Sequence, residues 1–200
     1  MTEFSRMGKI LLVAGMLPLL SACASAVVGG AAAVGVAAVQ ERSVGNAVDD
    51  VTISVDINRR LLERSEKLFT NVGVEVVEGR VLLTGSVEKP EDRVEAAKIA
   101  WQAKGVREVL NEIQVTDQSG IINAAKDAWI TAQLRAALLA DKDVLDINYS
   151  IETVNGVIYL IGIAQDKAEL EKVTGHARMI KGVKKVVSHV RLKDDPRRRN

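Results

Sequence analysis

Cysteine occurs once in the 200 residues, at position 23, which excludes an intramolecular disulfide. Histidine occurs twice, and His176 and His189 stand at no metal-like spacing from each other or from Cys23. The Gly-x-Ser-x-Gly elbow, the phosphate loop and the dinucleotide fingerprint are all missing. Acidic clusters such as Glu91-Asp92 and the run from Asp141 to Asp146 fall at expected helix ends, where dipole compensation explains them. No enzyme activity, cofactor, metal or small-molecule substrate is therefore expected. Aromatic residues make up 3% of the chain, too few for the stacking platforms that hold single-stranded nucleic acid. A formal net charge of +1 exerts no general pull on polyanions, and nucleic acid is not an expected partner.

What the chain does have is a repeat. Gly79-Arg80-Val81-Leu82-Leu83-Thr84-Gly85 returns as Gly156-Val157-Ile158-Tyr159-Leu160-Ile161-Gly162. A shift of about 77 residues also pairs Ile53 with Ile130, Leu61 with Leu138, Leu68 with Leu145 and Gly105-Val106 with Gly182-Val183, without a gap. One small module is thus used twice, at 49–117 and 123–193. Modules of this size bury modest cores, and docking against each other would help both. Their charges differ: residues 50–117 come to about −3 and residues 123–193 to about +3, so the second module suits an anionic partner better.

The start of the chain has its own logic. Arg6 and Lys9 precede an apolar run from Ile10 to Leu20, then Leu20-Ser21-Ala22-Cys23. This resembles a bacterial lipoprotein signal, with residues 1–22 removed by a peptidase that needs small side chains before Cys23, and the thiol carrying diacylglycerol. A multi-acyl anchor, at about 0.8 kcal/mol per buried methylene, is effectively permanent. Ala24 after the cysteine, by the same resemblance, favours sorting to the outer membrane. The alternative is an uncleaved anchor, since no charge occurs from Ile10 to Val39. Gly15, Pro18, Gly29, Gly30 and Gly35 weigh against a spanning helix, and residues 23–48 read better as the lipidated cysteine followed by a small-residue tether.

Each module reads as αββαβ, an α+β fold with two helices packed on a three-stranded mixed sheet. In the first, Asp49-Asp50 is the expected helix cap and Ile53, Ile57 and Leu61 form its buried stripe. Val72 to Val76 and Val81 to Val87 form a hairpin around Glu78-Gly79. Pro90 opens a second helix that is expected to reach Lys104, and Val109 to Val115 is the last strand. In the second module, Ile130, Leu134 and Leu138 form the stripe of a helix over 124–140 and Asn155-Gly156 makes the turn. Asp166 and Glu169 make a capping box, and Val186 to Leu192 closes the sheet. Residues 194–200 read as a frayed basic tail whose arginines could touch anionic headgroups.

With the repeat, the Gly-x-[Val/Ile]-x-Leu-x-Gly pattern and the later Gly-Val-x-x-Val in view, the modules resemble BON domains. The layout resembles dual-BON outer-membrane lipoproteins of the DolP type, including Arg42-Ser43-Val44-Gly45 and Asp127-Ala128-Trp129-Ile130-Thr131. That resemblance implies a non-enzymatic, periplasm-facing protein that binds anionic phospholipid through the first helix of its second BON domain and supports outer-membrane integrity.

The residues of that helix are compatible with such a role. Ile122, Ala125, Trp129, Ala132 and Ala136 recur at three-to-four spacing, off the core stripe, flanked by Lys126 and Arg135. Trp129 corresponds to Thr52 in the first module, so the repeat does not require an aromatic there. Tryptophan suits a membrane interface, its ring among acyl chains and its N–H wet, though packing between the modules is the alternative. Trp101 lacks such surroundings and is expected in the core or an interface.

The outward sheet positions Val157, Tyr159, Ile161 and Ile163 are apolar or amphipathic, where the first module has Arg80, Leu82, Thr84 and Ser86. A water-facing antiparallel sheet alternates, so this face is expected to be covered by the first module or the tether. Were it exposed, a protein partner in the envelope would be favoured, making the chain an adaptor rather than a lipid binder.

Overall fold

A computed structural model describes residues 43–116 and 121–198, all within one compact unit. Cys23, the signal region, the tether to residue 42, the side chain of Ile122 and residues 199–200 lie outside the described residues. The first module runs α1 (Val44–Arg64), α2 (Glu66–Asn71), β1 (Val72–Val77), β2 (Arg80–Val87), α3 (Pro90–Trp101), β3 (Glu108–Asn111) and β4 (Gln114–Val115). The second runs α4 (Ile121–Ala140), a 3-10 turn (Asp146–Asn148), β5 (Tyr149–Val154), β6 (Val157–Ala164), α5 (Lys167–Met179), β7 (Lys185–Ser188) and β8 (Arg191–Leu192).

The αββαβ order therefore holds in both copies, with amendments. The first module has the extra short helix α2, and each last strand breaks into two segments, both parallel to the central strand. The break leaves the hydrogen bond from Glu112 N–H to Leu83 O, 2.9 Å, while Ile113 N–H turns to the Asn111 side chain, 3.3 Å. In module two, His189 N–H likewise reaches Leu160 O at 2.8 Å. Helix α1 starts at Val44, capped by the Ser43 hydroxyl accepting from Asn46 N–H, and not by Asp49-Asp50. Helix α3 stops at Trp101, three residues short of the expected end.

Each sheet carries its helices on one face. Ile53, Ile57 and Leu61 of α1 and Ala96, Ile99 and Ala100 of α3 pack on Val72, Val76, Val81, Leu83 and Val87. Ile130, Leu134 and Leu138 of α4 and Val173 and Ala177 of α5 pack in the same way on Tyr149, Ile151, Ile158 and Leu160. Burying each of the valine, leucine and isoleucine side chains contributes roughly 1.5–3 kcal/mol.

The other faces of the two sheets meet. Leu82 and Val77 form one buried cluster with Tyr159, Ile161 and Ile163, so the apolar face of the second sheet is covered by the first module. Arg80, Thr84 and Ser86, outward on their own sheet, are buried in the process. The fold is thus a helix, sheet, sheet, helix stack, related by the internal repeat. Gln114 Nε2 donates to Val154 O and Tyr159 Oη, and Asn155 Nδ2 donates to Gln114 Oε1 at 2.9 Å and Ser86 Oγ at 3.1 Å.

Two expectations are overturned. Trp101 is neither core nor interface but 55% exposed, because α3 turns its last residue away from the sheet. Nor is the described part of the tail frayed. Pro196–Arg198 forms a 3-10 turn, and Arg198 donates to both oxygens of Glu78, at 2.8 and 3.0 Å, with both side chains about nine-tenths buried. Arg197 pairs with Asp195 but keeps its side chain exposed, so of the two it is Arg198 that is withdrawn from any headgroup.

Candidate functional site

A carboxylate near the start of each module's long helix sets the site's geometry. Asp127 on α4 accepts from the N–H groups of Asn155, 2.6 Å, and Gly156, 2.8 Å, and so holds the hairpin turn against the helix. Asp50 does the same for Glu78 and Gly79, both at 2.8 Å, which explains why it is buried. Both residues of each turn have positive φ, the type I′ geometry that favours glycine at the second place. The Gly156 carbonyl accepts from Lys184 N–H at 2.8 Å, which draws the loop after α5 against the turn. A Cβ on Gly156 would lie 3.0 Å from Gly182 O, so the close approach needs the missing side chain.

These contacts build a groove of about 950 Å³ between α4, the turn and the loop. Ala125, Lys126 and Trp129 form its helix wall, and Lys181 and Lys184 stand on the opposite loop. Trp129 is 55% exposed, its ring accessible beside three ammonium groups. An apolar ring among cations at a wet surface can hold an acyl chain edge and an anionic headgroup together.

The other expected residues distribute differently. Ala132 and Arg135 line a second groove, shared with Thr70, Asn71, Glu152 and Thr153 between the modules. Ala136 is exposed and lines neither groove. In the second groove burial, and then the nearby Glu75 charge, raise the Glu152 carboxyl above its usual range, with Arg135 opposing. Lys181 and Lys184 were missed in the sequence because they are distant from α4 along the chain. Their repeat counterparts, Lys104 and Arg107, offered a signal, since both copies place two cations there.

The corresponding groove of the first module provides an internal comparison. It measures about 400 Å³ and is lined by Asp49, Asp50, Thr52, Glu78, Lys104 and Arg107. Thr52 replaces Trp129 and Asp49 replaces Lys126, so three carboxylates face two cations, against three lysines and one carboxylate in the second module. The histidines are bound internally: His176 to Asp141 at 2.8 Å and His189 to Glu112 at 2.9 Å. No described helix is long and apolar enough to cross a membrane.

The profile of the BON domain matches residues 49–117 and 126–194, more than half of the sequence. The chain belongs to the BON-domain family. Among its relatives, the uncharacterized protein in the gshII 5′ region of Anaplasma centrale is 45% identical over 153 residues, 76% of this chain and 100% of that protein. Outer membrane lipoprotein DolP of Haemophilus influenzae is 29% identical over 185 residues, covering 92% of this chain and 95% of that one. Osmotically-inducible protein Y of Escherichia coli is 30% identical over 152 residues, 75% of this chain and 76% of that one. Both BON domains thus carry the same turn-clamping carboxylate, and the second alone adds the tryptophan and the lysine excess.

Proposed function

We propose that this protein is a non-enzymatic lipoprotein of the outer membrane, anchored through Cys23 and facing the periplasm. Its second BON domain binds anionic phospholipid at the groove of Trp129, Ala125, Lys126, Lys181 and Lys184, and so supports membrane integrity. The observation that carries this reading is the contrast between the two grooves: one scaffold presents an exposed indole among lysines in one copy, and a threonine among carboxylates in the other. Similarity to the Haemophilus influenzae outer membrane lipoprotein over nearly the full length supports the location. The adaptor reading loses its motivation, because the sheet face that would have recruited a partner is covered by the first domain.

Flotation with vesicles tests the proposal. Soluble protein from residue 40 onward should bind anionic vesicles, release them as salt rises, and ignore zwitterionic ones, because headgroup attraction is screened. Equal binding to both vesicle types rejects headgroup recognition, and undiminished binding by Trp129→Ala rejects the groove.

A further inference from the structure

A further cavity, of about 610 Å³, lies where the hairpin turn of the first domain meets the end of the second. Arg80 from β2, Arg107 from the loop before β3, Arg191 from β8, and Arg197 and Arg198 from the final turn all reach its wall. The carboxylates present are already shared. Glu78 takes Arg198, while Oε2 of Glu108 accepts from both Arg80 Nε, 2.7 Å, and Arg191 Nη2, 3.0 Å. Arg197 holds Asp195, and the cleft wall itself carries five guanidinium groups and two carboxylates. The two terminal nitrogens of Arg80 have no acceptor among the described residues, and Arg191 Nε is buried without one. Burial and the neighbouring Arg80 charge both push the Arg191 pKa down from its ordinary value, the mark of cations held close together.

The internal repeat shows that the fold does not need this charge. At the related end of the interface, Asn155, Val157 and Gln114 stand where Glu78, Arg80 and Arg191 stand here. There the junction closes with neutral hydrogen bonds from Asn155 to Gln114 and Ser86, and from Gln114 to Tyr159. At that end the junction residues pair through neutral hydrogen bonds, whereas at this one arginines outnumber carboxylates along the cleft wall. Buried cations without matching anions are costly, and the guanidinium fork fits phosphate oxygens in pairs.

We propose that this cleft is a binding site for a phosphate-class oxyanion, held chiefly by Arg80 and Arg191 with Arg107 at the rim, and separate from the Trp129 groove. Its volume exceeds a lone phosphate and suits a small phosphorylated molecule or a phosphate-bearing lipid headgroup. Soluble protein from residue 40 onward is titrated by calorimetry with inorganic phosphate and with glycerol 3-phosphate, and tested for flotation with phosphatidic acid vesicles. Binding of the two soluble phosphates should weaken by about tenfold or more in Arg80→Gln and in Arg191→Gln, and stay unchanged in Trp129→Ala. Flotation is compared in the Trp129→Ala background, where the same two arginine changes should weaken it further. Arg80→Lys, which keeps the charge, and Arg107→Gln, at an exposed position, separate loss of binding from loss of folding, with a thermal melt on each. Saturable binding of either soluble phosphate with this pattern assigns a free phosphorylated ligand, and binding of vesicles alone with this pattern assigns a headgroup. Failure of all three probes to bind, binding indifferent to both arginine changes, or equal loss of soluble-phosphate binding in Trp129→Ala overturns the proposal.

Discussion

Glu112 and His189 occupy the same place in successive copies of the repeat, and they bond to each other: Glu112 Oε1 lies 2.9 Å from His189 Nε2. A contact between equivalent positions marks an internal two-fold axis through the sheet interface, the relation seen in isologous dimers. Thermal melts of Glu112→Ala, His189→Ala and the double variant should return a coupling of about 0.5–1.5 kcal/mol. Strictly additive losses would show that the pair does not act across the axis.

A graft from one groove to the other tests what Trp129 needs around it. Thr52→Trp alone should add little affinity for anionic vesicles, because Asp49 and Glu78 remain in that groove. Thr52→Trp with Asp49→Lys should add measurable flotation, and should restore part of what Trp129→Ala loses. If the indole alone suffices, the lysines are incidental.

Removing the clamp should loosen the turn. Asp127→Ala leaves the N–H groups of Asn155 and Gly156 without their acceptor and should cost about 1–3 kcal/mol in urea unfolding, with weaker vesicle binding as the groove opens. Asp50→Ala should cost at least as much, its carboxylate being buried, yet leave vesicle binding intact in the folded fraction.

Gly85 has φ of 109°, and a Cβ there would stand 2.0 Å from the carbonyl oxygen of Asn71. Gly85→Ala must displace the end of α2 as well as adopt a strained backbone, so a loss of about 4 kcal/mol or more, or failure to fold, is expected. A soluble variant with an unchanged melt would mean that α2 shifts freely.

Acid should affect Glu152 in the opposite sense to Glu108 and Asp141. Its pKa is raised, so between the ordinary 4.5 and the folded value the native state binds more protons than the unfolded chain. Its contribution to stability therefore improves as pH falls through the folded value, whereas Glu108 and Asp141, with lowered pKa values, lose theirs in acid. Glu152→Gln should raise the melting temperature at pH 7, and that gain should shrink toward zero as the pH approaches 4.5. A gain independent of pH would point to packing instead.

Residues that obey local rules were readable in advance. Ile53, Ile57, Leu61 and their counterparts at helical spacing, and Glu78-Gly79 and Asn155-Gly156 as turns, lie where pattern and backbone chemistry put them. Residues whose roles depend on distant partners were not. Asp50 reads as a helix cap until the hairpin arrives beneath it, and the tail reads as frayed until Glu78 stands opposite Arg198. Leu145, paired with buried Leu68 by the repeat, is 38% exposed because Val144 fills the core place after a shift of one residue. Half of the candidate groove was visible in the α4 pattern; the lysine half required the fold.

The covered sheet face also bears on how such a molecule behaves when scarce. A lone module bearing Tyr159, Ile161 and Ile163 would have to meet a twin by diffusion, and its integrity would fall on dilution. With the twin joined covalently through residues 117–120, that encounter becomes an intramolecular event, governed by chain length rather than by abundance. A few copies in an envelope would then fold as soundly as many.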